Sequence, residues 1–536
     1  VKSPDDDRFR KRVYDDGLAG LAKHPLNAYR PDPMSFRAAN HTSLPNPVRV
    51  FWRALVTGGL IAGLLGAVAL DAKAQNANLQ RAPGDGDIPV FTDVYDGSEF
   101  CADGNGDAPC AVAPVDVPEF DASFVYRFLA YHAQRPFDRF SWQAFTALMS
   151  PLDHPGQKTH WETFPTQRDL FAELAYPNPA CSDDLPDGHL LLASYLQSTG
   201  DTLVDQAGNF VLFETRINPV AADYIIANNL QSEAGRAHFA NTGQFIDFPT
   251  GHLTEGAESK VKATIANGDG VQKPDSAIPP SAPGVMGAQL LKFAWRILPP
   301  DNVAENTRYF TRPARISLGS DQMLDGQATC LDVTVGLVGL HLVQRVASGN
   351  GDRWIWSSFE HVDNVPLAAN ARRPNSIITK EPFENGCLSP GPVDQQYAFY
   401  GGMGAVGSPA NQPISEILKW ADHAPYARLS SGDRPLPPEI VRCWRLFSGT
   451  AESNFVWQGK LSGTVWANYM LLGTQWIGNP GGAPFGIGEV PRFLTNSTLE
   501  SFMQDQPDAS CLRCHARATS DAGQVANFTF LLDPGS

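Results

Sequence analysis

The feature that most constrains this chain is Cys511-Leu512-Arg513-Cys514-His515, close to its C-terminal end. C-x-x-C-H is the attachment signature of c-type haem. Two thiols about one helical turn apart reach the two vinyl groups of one porphyrin, and the imidazole on the next residue serves the iron as proximal ligand. Other uses of the spacing fit less well. A thioredoxin-like C-x-x-C follows a strand and opens a βαβ context, whereas only Ala516 to Ser536 follow here. A zinc site takes two more ligands from a second close Cys or His pair, which the sequence lacks. The segment predicts one covalent haem c on Cys511 and Cys514, with His515 on the iron.

Haem of this kind is attached outside the cytoplasm, and the sequence carries an export signal. Ala54 to Leu70 is an uncharged run rich in Leu, Val, Ala and Gly, preceded by Arg49 and Arg53. It leads into Asp71-Ala72-Lys73-Ala74, an A-x-A site that would free Gln75. At 17 residues the run is short for a spanning helix, which needs about 20. A cleaved signal peptide is expected, and contact with the membrane only if the segment stays uncleaved. No Arg-Arg pair stands just ahead of the run, which points to the general secretory route. Met34 to Arg53 contains three Arg and no acid, so Met34 is the expected start of translation.

Residues 1–74 hold 11 Lys and Arg against 7 Asp and Glu, so +4 there leaves −20 on the remainder of a chain whose net charge is −16. Such a body repels nucleic acid and anionic lipid, and favours a basic partner or substrate. The expected organisation is an extension and signal peptide over 1–74, an extended leader over 75–117, an α+β body over 118–400 and a haem-binding region over 401–536. The fold class expected is α+β, with a mainly β centre between helical N-terminal and helical haem-bearing C-terminal regions.

Phe124 to Met149 repeats apolar residues at steps of three and four and reads as a helix, ended by Pro151 and Pro155. Phe210–Ile217, Gln289–Leu298, Arg308–Arg312, Leu331–Val343 and Trp354 onward are β-branched or alternating runs and read as strands. Ala221–Leu230, Ile414–Ala421 and Pro438–Leu446 read as helices, and Val465–Trp476 has no clear period. Asn496-Ser-Thr-Leu-Glu500 has the pattern of a helix start, predicting a last helix that leads into the haem motif.

Outside the motif six Cys remain, at 101, 110, 181, 330, 387 and 443. An even number in an exported chain is compatible with three disulfides. Only Cys101–Cys110, across a Gly-rich turn, can be paired from spacing; Cys443, in an apolar stretch, could equally be a buried thiol. Asp103, Asn105 and Asp107 open like a calcium loop, but Ala108 and Pro114 stand where Gly and Glu are required, so a plain acidic turn is expected.

The sixth position on the iron separates an electron carrier from a reactive site. No Met or His follows His515, so any distal ligand must come from upstream: His361, His341, His252, Met403, Met470 or Met503. His361 lies among Glu360, Asp363 and Asn364 next to Trp354 and Trp356, which would make a polar pocket in an aromatic wall; the alternative is a histidine that holds a strand end. His341 alternates with Leu340 and Leu342 and reads as a packed strand residue.

Trp354 to Asn364, Ser141-Trp-Gln-Ala-Phe145, Gly473-Thr-Gln-Trp476 and Asn496-Ser-Thr-Leu, followed by C-x-x-C-H, resemble large exported bacterial mono-haem cytochrome c-like proteins. The similarity runs from about residue 120 to 520. It implies a single haem on Cys511 and Cys514 with His515 as ligand, and brings no substrate with it. Three functions follow as expectations. The first is a periplasmic or secreted redox protein passing electrons between a carrier and a partner or small-molecule substrate on the large body. The second is a haem enzyme of oxygenase or peroxidase type with an open distal iron. The third is a binding or surface protein in which haem is structural.

Overall fold

The computed structural model describes residues 97–102, 108–117, 130–154, 156–171, 173–253, 284–302, 306–347, 353–372, 383, 386–476 and 491–534. All belong to the unit spanning Ala69–Ser536. The export segment and its cleavage after Ala74, the start at Met34, and Asp103, Asn105 and Asp107 lie outside the described residues.

The centre of the chain builds a seven-stranded sheet. Its strands are β1 (Leu190–Leu192), β2 (Val211–Ile217), β3 (Gln289–Ile297), β4 (Thr311–Leu318), β5 (Thr329–Val346), β6 (Arg353–His361) and β7 (Tyr469–Gln475). β5 is the spine. It pairs antiparallel with β3 from Val335 to Gln344, with β4 from Thr329 to Gly336 and with β6 from Gly339 to Val346. β2 extends the sheet beyond β3, β7 beyond β6, and β1 lies parallel to β4. From Val335 onward every residue of β5 is buried. That is the pattern of a strand covered on both faces, and it explains the near-continuous apolar run.

One face is covered by α1 (Ala130–Leu148) and α4 (Ser448–Lys460). Trp142 and Phe145 of α1 pack against Phe359 of β6 with ring centroids 5.1 and 4.4 Å apart, and Trp142 stacks on Trp457 of α4 at 5.6 Å. Ser141 bonds both Ser357 and Thr474 at 2.7 Å, which fixes the helix across β6 and β7. The other face carries α2 (Pro219–Ala227), α3 (Glu233–Asn241) and the C-terminal segment 491–534. Asn218 and Ser232 start these two helices by accepting from the backbone N–H three residues on.

The α+β class holds, with a mainly β centre. Three expectations are corrected. Ile414–Ala421 is not a helix: it contains the strand Leu418–Trp420, paired with Ala427–Leu429 in a hairpin that seats Trp420 on Phe210 at 4.4 Å. Pro438–Leu446 contains the strand Arg442–Trp444, parallel to Leu367–Arg372. Its Ile440 and Arg442 N–H groups bond the carbonyls of Phe399 at 2.9 Å and Pro366 at 2.8 Å, so they are not available to a helical turn. The helix expected from Asn496 is a series of turns. Its cap forms, with Asn496 Oδ1 accepting from Thr498 N at 3.0 Å and Glu500 Oε2 from Asn496 N at 3.0 Å. It does not propagate, because Ser497, Ser501 and Gln504 bond Glu360, Gln197, Val441 and Cys443 elsewhere in the fold. β7, from within 401–536, pairs with β6 and so joins the sheet that begins upstream.

Three disulfides staple this body: Cys101–Cys110, as spacing predicted, then Cys181–Cys330 and Cys387–Cys443. Cys443 is therefore not a free thiol. Three bridges are the chemistry of an oxidising compartment outside the cytosol. Among the described residues no helix is long and apolar enough to cross a membrane.

Candidate functional site

The C-x-x-C-H motif is a single short helix, α5 (Cys511–His515), and the sequence supplies both of its anchors. Ser510 is the N-cap and accepts from Arg513 N at 3.3 Å. Gln475, the last residue of β7, accepts from Leu512 N at 3.1 Å and donates to Ser510 Oγ at 3.0 Å and to the Pro491 carbonyl at 2.6 Å. Leu512 drives the helix onto the sheet, buried with Val343, Trp354 and Trp356. Cys511 and Cys514 are both half-buried and both free, whereas every other described cysteine is in a disulfide. Burial raises both thiols: Cys511 well above its ordinary value, Cys514 less so, with Glu500 adding to each.

His515 is oriented from its Nδ1 side. That nitrogen lies 3.0 Å from the Phe528 carbonyl, so it is the one carrying hydrogen, and Nε2 is left as the available lone pair. Iron-bound histidines are held in the same way, the second nitrogen donating to a carbonyl or carboxylate. The ring sits against Trp356 at 4.2 Å and Phe530 at 5.1 Å. Burial pushes its pKa down to about 3, so the imidazole is neutral, the form that ligates metal. Two free thiols one turn apart, followed by a neutral imidazole with a free Nε2, are a donor set that fits a covalent haem.

Register brings a charged cluster to the same place. Lys292 of β3 lies opposite His341 of β5, and His341 opposite Ser358 of β6, so their side chains share one sheet face with the row Leu290, Val343, Trp356 and Gln475. His341 Nε2 is 2.8 Å from Glu500 Oε1, on the turn segment that precedes α5. Glu500 stays below the usual carboxylate value: burial alone would raise it, but His341, Lys292 and the Asn496 N–H outweigh that. Lys292 is pushed down by burial, against the pull of Glu500 and Cys514. Lys292 does not stand out in the sequence, and Glu500 does so only as part of a helix start. The only available signal was a lysine between Leu291 and Phe293.

His361 is placed elsewhere. The alternation of β6 sends Trp354, Trp356, Ser358 and Glu360 to the haem-motif face, and Ile355, Ser357, Phe359 and His361 to the other. The pocket expected around His361 is thus split between two faces. His361 is fully buried, with Nε2 3.1 Å from the Arg308 carbonyl and Nδ1 accepting from Asp363 N at 3.2 Å, so it holds the strand end. Glu360 bonds Arg442 Nε at 2.9 Å and Ser497 N at 3.0 Å, and ties the C-terminal segment to the sheet. Of the remaining distal candidates, Met403 is 77 % exposed and His252 is exposed on a two-residue strand. Met503 lies half-buried in the turns after Asn496, and Met470 is buried in a cluster that Cys511 also touches. His341 and Met470 are the two upstream candidates that the fold brings beside the motif.

Among the described residues no group of three His, Cys, Asp or Glu side chains is arranged to hold a bare metal ion. No protein-family model, curated protein or solved structure matches the chain.

Proposed function

We propose that this chain is an exported c-type cytochrome that carries one covalent haem and passes electrons between a carrier and a partner or substrate on its large body. The observation that supports it most is the contrast among the cysteines: six are bridged, and the two left as thiols are those of C-x-x-C-H, followed by an imidazole whose Nδ1 is already bonded to Phe528 O. Cys511 and Cys514 would hold the group as thioethers and His515 Nε2 would ligate the iron. When bound, the haem supplies a one-electron couple. The protein's part is to orient His515 through Phe528, to wall the site with Trp356 and Phe530, and to fix the helix through Gln475. The periplasm or the cell exterior is the compartment that suits both the disulfides and the haem. The −20 charge of the body favours a basic redox partner.

A second reading, a haem enzyme with an open distal iron, is favoured by one observation: His341 has its Nε2 committed to Glu500. One experiment separates the two. The protein is made in a host with c-type maturation, and its ferric and ferrous spectra are recorded with and without carbon monoxide. A low-spin spectrum unmoved by carbon monoxide means two protein ligands and a carrier. A high-spin spectrum that shifts means an open iron and an enzyme. A colourless protein ends both readings.

A further inference from the structure

The residue that orients His515 sits in a backbone conformation its type avoids. Ala526 to Thr529 is a tight turn, closed by Thr529 N donating to the Ala526 carbonyl at 3.1 Å. Both central residues have positive φ, 51° at Asn527 and 65° at Phe528, the signature of a type I′ turn. That turn prefers Asn-Gly, and here Phe stands in the glycine place. Among the described residues Phe528 is the one non-glycine residue of positive φ that is neither Asn nor Asp, and a bulky side chain there is strained. Strain of this kind persists only where the surroundings over-determine it, and it gathers at functional sites.

The surroundings do over-determine it. Asn527 Oδ1 accepts from Arg345 Nη1 of β5 at 2.7 Å and from Trp354 Nε1 of β6 at 2.8 Å. Arg345 is held in turn by Thr250 at 3.1 Å and by Asp247 at 2.5 Å. Ala526 N donates to the Ala518 carbonyl at 3.0 Å and Ala518 N to the His515 carbonyl at 3.0 Å, which ties the turn back to the end of α5. The Phe528 carbonyl then lies 3.0 Å from His515 Nδ1. The Phe528 ring packs on the cluster that contains Leu512 and Leu531, which accounts for a large side chain but not for the grip on Asn527. We propose that Asn527 is a positioning residue for His515: gripped by two strands of the sheet, it fixes a strained turn whose carbonyl sets the direction and the basicity of the imidazole. The inference rests on the haem reading above and adds to it the residue through which the sheet tunes the iron. An imidazole whose second nitrogen donates to a fixed carbonyl is a more basic ligand, which favours the ferric state.

The test uses full-length holoprotein from a host with c-type maturation, as wild type, Asn527→Ala, Asn527→Gly, Asn527→Asp and Trp354→Phe. Covalent haem content is measured first, then the midpoint potential by spectroelectrochemical titration and the urea midpoint of the same samples. The Ala and Gly variants both remove the acceptor of Arg345 and Trp354, and Gly still accepts positive φ, so the lost side chain is separated from the lost backbone preference. Both are expected to raise the midpoint potential, by about a tenfold change in the ratio of ferrous to ferric protein, ~59 mV for one electron. The Asp variant keeps the acceptor and tolerates left-handed backbone, so no rise is expected. Trp354→Phe removes one donor, keeps a ring and is expected to raise the potential by less; it carries the test if the Ala and Gly variants fail to take up haem. Potentials equal to wild type in these variants, with only the urea midpoint lowered, would overturn the proposal in favour of a residue that merely ties the C-terminal segment to the sheet, and would leave the haem reading standing. A rise in the Asp variant as large as in the Ala variant would overturn it as well. Wild type without covalent haem would remove the underlying reading itself.

Discussion

His361 makes a quantitative prediction about pH. It ends β6 in full burial, stacked on Tyr309 at 4.1 Å and edge-on to Tyr469 at 5.2 Å. Burial lowers its pKa from 6.5 to about 4; Asp363 and the hydrogen bond to the Arg308 carbonyl oppose that, and the Arg308 and Arg296 charges reinforce it. Between these two values the unfolded chain holds more protons on this imidazole than the folded one. Stability is therefore full above pH 6.5 and falls as the pH drops through the window toward 4. At about 1.36 kcal/mol per pKa unit, the loss reaches about 2 kcal/mol at pH 5 and about 3 kcal/mol near pH 4. The perturbation is His361→Phe. It keeps a ring against Tyr309, and the Arg308 carbonyl keeps Asn468 Nδ2 at 2.9 Å. The Asp363 N–H loses its acceptor, a pH-independent cost of roughly 1–3 kcal/mol. Urea unfolding followed by tryptophan fluorescence, at pH 8, 6.5 and 5, gives the difference between the two proteins at each pH. Other titrating groups are common to both and cancel, including Asp138, which burial raises to about 6 against its three side-chain hydrogen bonds. The wild-type advantage is expected to shrink by about 2 kcal/mol from pH 8 to pH 5. Parallel stability curves would refute the reasoning.

Three further outcomes follow from particular contacts. Replacing Cys387 and Cys443 together by Ser opens a loop with a sequence separation of 56 and is expected to cost about 4 kcal/mol, read as a lowered urea midpoint. Gly339→Ala places a Cβ 2.1 Å from Thr498 Oγ1, where β5 meets the C-terminal segment; a loss of about 1–3 kcal/mol is expected, with faster proteolysis near Thr498. Glu360→Gln removes the charge facing buried Arg442 and leaves one carbonyl oxygen where two carboxylate oxygens accept from Arg442 and Ser497, and is expected to lower the thermal midpoint by the equivalent of about 1–3 kcal/mol.

What was legible in the sequence is what local chemistry encodes. The C-x-x-C-H spacing, the Cys101–Cys110 turn and the β-branched run of β5 each speak within a few residues, and the fold agrees with the last two. Three-residue strands such as Leu418–Trp420 and Arg442–Trp444 are too short to show a period, and the partner of the second, Leu367–Arg372, lies far upstream. The run from Asn496 to Gln504 has helix-start chemistry, yet its hydroxyl and amide side chains gain more by bonding the sheet than by continuing a helix. The cluster of Lys292, His341 and Glu500 exists only through strand register, so no linear motif could announce it. His361 shows the converse. Its polar neighbours in sequence promise a pocket, and the two-residue period of a strand turns them away from it.

The most direct test of the central claim is the amount of haem that stays bound under denaturing conditions. Protein from a host with c-type maturation is digested, and the peptide spanning residues 511–515 is weighed by mass spectrometry alongside pyridine haemochrome quantitation. The account predicts one haem per chain on that peptide, lost when Cys511 and Cys514 are both replaced by Ala while the three disulfides remain. Recovery of the wild-type peptide with both thiols free and no added haem would contradict it.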